Sequence, residues 1–123
     1  MNDGYIIVGA LNKNSALIKL DKSNGDILLN KTYNIGGTDA FEHIAQTDDG
    51  FIVAGYNNAE DPDNTFFTYP RGSLCIINEQ GVLNETLNIN SHISQPYRIE
   101  KSNTDYFVSG LSEDAQDYVL LKC

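Results

Sequence analysis

Few side chains in this 123-residue chain have a type and spacing that could do chemistry. The densest candidates fall in two short segments: Glu42, His43 and Gln46 in one, Arg98, Glu100 and Lys101 in the other. A lone His43 cannot form a catalytic zinc site, which takes three protein ligands, and His92 sits in a polar connection with no partner in view. The run Asn57-Asn58-Ala59-Glu60-Asp61-Pro62-Asp63-Asn64 clusters side-chain oxygens of the kind Ca²⁺ binds. It lacks the Gly and Glu spacing of an EF-hand loop, so it reads as an acidic surface turn, and no metal is expected. Asn30-Lys31-Thr32 and Asn84-Glu85-Thr86 match the glycosylation triplet, which short Thr- and Asn-rich strands produce by chance. No nucleophile–base pair, phosphate loop or Cys-x-x-Cys occurs. Catalysis has no supporting motif, and neither enzymatic activity nor a cofactor is expected.

The bulk composition narrows the classes further. Seventeen acidic against eight basic side chains give a net charge of −9. Such a surface repels phosphate backbones and anionic lipid, which argues against nucleic acid as a partner. No stretch approaches the ~20 apolar residues of a membrane-spanning helix. Cys75 and Cys123 are too few for a disulfide framework, and both lie in apolar runs, so buried free thiols are expected. Met1-Asn2-Asp3-Gly4 leads straight into a strand-like segment, with no signal-peptide pattern.

The elements that would position these residues are strands. Short β-branched and aromatic runs alternate with turn signals such as Asn24-Gly25, Asp49-Gly50 and Gln80-Gly81, and no apolar pattern of helical period lasts three turns. The chain also repeats itself. Asp3-Gly4-Tyr5-Ile6-Ile7-Val8-Gly9 returns 46 residues later as Asp49-Gly50-Phe51-Ile52-Val53-Ala54-Gly55, and more loosely as Thr104-Asp105-Tyr106-Phe107-Val108-Ser109-Gly110. Residues 41–55 match 96–110 at a constant offset of 55. Ala16-Leu17-Ile18-Lys19-Leu20, Ser73-Leu74-Cys75-Ile76-Ile77 and Val119-Leu120-Leu121-Lys122-Cys123 align as a second recurring strand. Cys75 thereby takes the place of Ile18 and Leu121, as a packing residue would.

A four-strand cycle accounts for the whole chain. Its complete unit has strands over 41–47, 51–56, 73–78 and 82–89. The last three strands of an earlier unit precede it, over 5–10, 16–21 and 27–33, and the first three of a later one follow, over 97–102, 106–111 and 118–123. The recurring Gly-ended strands are apolar at consecutive positions, so both of their faces must be covered.

The run Asp3 to Gly9, then Leu17-Ile18-Lys19-Leu20-Asp21, then Gly25-Asp26-Ile27-Leu28-Leu29-Asn30-Lys31-Thr32-Tyr33 resembles the kelch-like β-propeller repeats of bacterial surface and secreted proteins. Leu29 stands where that family usually has Trp, and the fourth strand of the complete unit lacks the aromatic. The resemblance implies an all-β fold of propeller-type blades, each a four-stranded antiparallel sheet, about three per chain with two incomplete. The division would be a partial blade over 1–36, a full blade over 37–92 and a partial blade over 93–123. It also implies that first strands line a central channel, which makes Glu42, His43 and Arg98 candidates for a small ligand of carbohydrate type. The alternative is solvated strand residues with a cross-strand ion pair.

Three blades would leave two apolar faces in water. Either a longer chain or self-association, a dimer first of all, would then cover them. The aromatic run Phe66-Phe67-Thr68-Tyr69-Pro70 either tucks over a blade edge or, through Phe66, Phe67 and Tyr69, meets another protein. The function expected is a non-catalytic interaction scaffold, with small-ligand binding as the alternative, and a propeller enzyme with its catalytic blades elsewhere as a third. If Met1 is the natural start, the location is cytoplasmic; a fragment of an exported protein would be extracellular or periplasmic.

Overall fold

The computed structural model describes residues 4–35, 38–61, 64–112 and 117–123, with the backbone alone at 38, 58–61 and 64–70. Among them every regular element is a strand and every pairing is antiparallel. β1 (Gly4–Leu11), β2 (Asn14–Asp21) and β3 (Ile27–Tyr33) form a first sheet in chain order. β4 (Thr38–Gln46), β5 (Gly50–Asp61), β6 (Asn64–Asn78) and β7 (Leu83–Asn88) form a second. β8 (Gln95–Ser102), β9 (Asp105–Leu111) and β10 (Tyr118–Lys122) form a third.

Turn chemistry sets the hairpins. Asn12 and Lys13 link β1 to β2 with φ of 51° and 67°, the left-handed pair a two-residue hairpin turn demands. The β2–β3 and β6–β7 turns use one device. The Asp21 carboxylate accepts from the backbone N–H groups of Ser23 and Asn24, and Asn78 Oδ1 accepts from Gln80 and Val82. A glycine at positive φ then closes each turn, Gly25 at 76° and Gly81 at 82°.

Strand pairing reproduces the internal repeat residue by residue. Gly9, Gly55 and Gly110 pair with Ala16, Ser73 and Val119, the alignment that the recurring strands give. Both strands that begin a unit are bulged at one equivalent position. Glu42 is the extra residue of β4, between Phe41 opposite Gly55 and His43 opposite Ala54. Tyr97 is the extra residue of β8, between Pro96 opposite Gly110 and Arg98 opposite Ser109. A bulge sharpens local twist and tips the backbone onto its neighbour. A Cβ on Gly55 would lie 2.2 Å from the Ala40 carbonyl oxygen, and one on Gly110 2.2 Å from that of Gln95. Gly9 has no such neighbour among the described residues, because no strand of this kind lies beside β1.

Two cores separate the sheets. Phe51, Val53, Cys75 and Ile77, on one face of the second sheet, pack on Ile6, Val8 and Leu17 of the first. Ile52, Ala54 and Leu74, on its other face, pack on Ile99 and Val108 of the third, with Ile89 and Ile93 of the connection filling the space between. The strict alternation of strand side chains assigns consecutive apolar residues to opposite cores. Burying a side chain such as Leu17, Leu74 or Val53 stabilises by ~1.5–3 kcal/mol, so the two cores dominate the fold. β4 lies against β1 and β2 on one side and against β8 on the other.

Several boundaries move from the sequence-based expectation. The residues between the strands expected over 51–56 and 73–78, where an acidic surface turn is expected over 57–64, instead extend both strands into a long hairpin. β5 runs on to Asp61 and β6 starts at Asn64, with Asn57 opposite Arg71 and Glu60 opposite Thr68. The Asn, Asp and Pro content signals a turn, but pairing with the opposite strand overrides that preference. Cys123, expected to be buried, is exposed.

Candidate functional site

The residues expected to line a channel lie on β4 and β8, and the structure sorts them into separate roles. His43 reaches from β4 to the backbone of β8 in the next sheet. Its Nδ1 lies 3.0 Å from the Ile99 carbonyl oxygen and 3.3 Å from the Ile99 nitrogen. The Nδ1 tautomer selects between these contacts: protonated it donates to the carbonyl, unprotonated it accepts from the N–H. Either way His43 is a half-buried clasp between two sheets.

Arg98, at the position equivalent to His43, turns instead along its own strand. Its Nε donates to Glu100 Oε1 at 2.9 Å and its terminal nitrogen pairs with the same oxygen. Both groups are exposed, so this pair is worth little to stability. The expected cross-strand ion pair is thus an ion pair within β8. Glu42, the bulge residue of β4, is exposed. Partial burial raises the Tyr56 phenol's pKa, and the charges of Glu42 and then Tyr97 add smaller shares. The Tyr97 hydroxyl donates to Gln95 Oε1 at 3.0 Å. His43 and Arg98 are each engaged, and no acid–base constellation joins them to Glu42.

The remaining candidates separate in the same way. Lys101 pairs with Asp48 at 3.8 Å and lies over the Tyr106 ring. His92 is exposed on the connection between β7 and β8, where its backbone N–H donates to the Ile89 carbonyl. The side chains of Phe66, Phe67 and Tyr69 lie outside the described residues, although their backbone belongs to β6. Among the described residues, no group of three or more His, Cys, Asp or Glu side chains is placed to hold a metal ion.

The two cysteines differ in exposure. Cys75 is buried in the core between the first two sheets, and desolvation pushes its thiol up to about 11 despite a weak contact with Thr86 Oγ1 at 3.9 Å. At neutral pH it is a protonated packing group. Cys123 pairs through its backbone with Tyr106, and partial burial raises its thiol pKa too.

Exposed apolar side chains gather on the two outermost sheet faces. On the third sheet, Tyr97, Tyr118 and Leu120 border a concavity of about 320 Å³ floored by Ser109, Gly110 and Val119. On the first sheet, Tyr5, Ile7 and Ile27 stand exposed on the side away from the second. Neither patch was among the expected site residues. The aligned repeat carried the signal: Leu120 occupies the place of Leu17 and Leu74, and Ile7 that of Val53 and Val108. A scan of family patterns, of curated proteins and of solved structures finds no match to this chain.

Proposed function

We propose that the chain is a non-catalytic interaction scaffold of β-propeller type, resembling the kelch-like bacterial repeats. Its three sheets serve as successive blades, two of them incomplete, and self-association or a longer chain extends the array. The observation that carries this reading is the mismatch between equivalent positions. Ile7 is 50% exposed where Val53 and Val108 are 0%, and Leu120 is 69% exposed where Leu74 is 1% and Leu17 is 0%. Repeated sheets that stack face to face leave one unused stacking surface at each end of the row. Contiguous apolar surface of this kind marks an interaction site.

Ligand binding by Glu42, His43 and Arg98 draws less support, because His43 is committed to the Ile99 backbone and Arg98 to Glu100. The solution mass measured across a range of concentrations tests the scaffold. Association that grows with concentration is expected. A mass fixed at the 13.6 kDa of one chain removes self-association from the proposal.

A further inference from the structure

We infer that two copies of this chain associate head to tail, the Tyr97–Tyr118–Leu120 face of one against the Tyr5–Ile7–Ile27 face of the other. This rests on the scaffold reading and adds the direction and residues of the contact.

Both internal interfaces have one polarity. In each, the preceding sheet presents the face carrying its Leu17-type residue, and the following sheet the face carrying its Val53-type residue. Leu17 and Val8 of the first sheet meet Val53 and Cys75 of the second. Leu74 and Ala54 of the second meet Val108 and Leu121 of the third. The register fixes these identities, since Val8 pairs with Leu17, Ala54 with Leu74 and Ser109 with Leu120. Ile7 with Ile18, Val53 with Cys75 and Val108 with Leu121 form the matching set.

One half of this interface is unused at each end, and the halves differ. The third sheet keeps a face of the Leu17 type, on which Leu120 is exposed and Tyr118 is 92% exposed. The first sheet keeps a face of the Val53 type, on which Tyr5, Ile7 and Ile27 are exposed. Joining the two continues an interface the molecule already makes twice. Joining like with like would set two surfaces together in a combination that occurs nowhere in the fold. The concavity of about 320 Å³ beside Leu120 offers room for an aliphatic side chain such as Ile7. A second copy then presents its own free face to the first, and the reciprocal contact closes the pair.

Two surface variants test the pairing by complementation. Tyr118→Arg alters the third-sheet face and Tyr5→Arg the first-sheet face, both at exposed positions. Circular dichroism confirms that each stays folded, and Leu120→Lys with Ile7→Lys forms a second pair for the same assay. Wild type is expected at twice the 13.6 kDa chain mass by light scattering. Each variant alone is expected at least tenfold weaker in association, and an equimolar mixture recovers part of it, because one unaltered face of each kind remains. Loss in one variant with wild-type association in the other shows like-on-like contact and overturns the inference. Full association in both variants places the contact elsewhere and also overturns it. In either case self-association itself survives. A monomeric wild type at every concentration removes both the pairing and the self-association it rests on, leaving a longer chain to cover the faces.

Discussion

Leu74 and Leu120 are the same residue in the same place of the same repeat, and their surroundings are opposite. The first is sealed between the second and third sheets; the second stands on the open side of the third. Gly55 and Gly9 make a parallel pair: a bulged strand crowds the first, while none of the described residues crowds the second. Local sequence in the repeat thus encodes a sheet with two faces and one edge to be covered. What covers them differs between the middle of the row and its ends. The repeat contributes the same residues at every position, but only neighbouring sheets turn them into stability.

The largest contrast is expected at the leucines. Leu74→Ala removes a buried side chain and leaves a cavity, costing ~2–5 kcal/mol, whereas Leu120→Ala stays within ~0.5 kcal/mol in the dilute monomer. Urea unfolding of both variants measures the difference. Equal losses would mean that the outer face is covered even in the single chain. A Leu120→Ala cost that grows with protein concentration would tie the same face to self-association.

The glycines sharpen the comparison along the sheet's edge. None of Gly9, Gly55 and Gly110 has positive φ, so close approach and not backbone conformation decides their substitution. Alanine at 55 or 110 would drive a methyl into a backbone carbonyl 2.2 Å away, which neither strand can yield without losing its register. The expected loss is about 3 kcal/mol, the upper end of ordinary overpacking. Gly9→Ala meets none of the described residues within 4 Å and is expected to gain up to ~1 kcal/mol by restricting the unfolded chain. Thermal unfolding of the three variants orders them. A Gly9→Ala loss matching that of Gly55→Ala would reveal backbone against the β1 edge in the assembled protein.

Much of this was legible in the residues because strand periodicity and turn chemistry are local. The offset of 55 between the second and third units reappears as matching bulges at Glu42 and Tyr97. The alignment of recurring strands reappears as the Gly9–Ala16, Gly55–Ser73 and Gly110–Val119 pairs. Non-local features were not legible. His43 finds the Ile99 backbone 56 residues away, a contact no spacing announces. The β5–β6 hairpin continues through residues that prefer turns, because pairing decides their conformation. That two apolar faces stay open was legible from counting strands, but the residues on them were not: Ile7 and Leu120 look like core residues and are equivalent to core residues. Only counting neighbouring sheets distinguishes them.

The smallest expected effect concerns the thiols. Cys75 and Ile18 are equivalent, one inside a core and one on an outer face, so the cysteine in the covered place reports on that cover through its ionisation. Burial raises the folded-state thiol from 9.0 to about 11, with the Thr86 contact opposing the shift and Asp39 adding to it. A raised pKa means that the folded state holds the proton longer than the unfolded one. Its contribution is therefore complete below pH 9 and declines as pH rises, by roughly 2 kcal/mol at pH 11. Tyr33, whose phenol is also raised by burial, titrates in the same alkaline region, so the comparison must be made within a pair of variants. Cys75→Val keeps the volume of the core and removes the ionisation. Unfolding curves at pH 8 and pH 11 should then show a smaller alkaline loss for Cys75→Val than for wild type. An identical loss in both would mean that solvent reaches the core between the first and second sheets, and that the contrast between covered and open faces is weaker there than between the second and third.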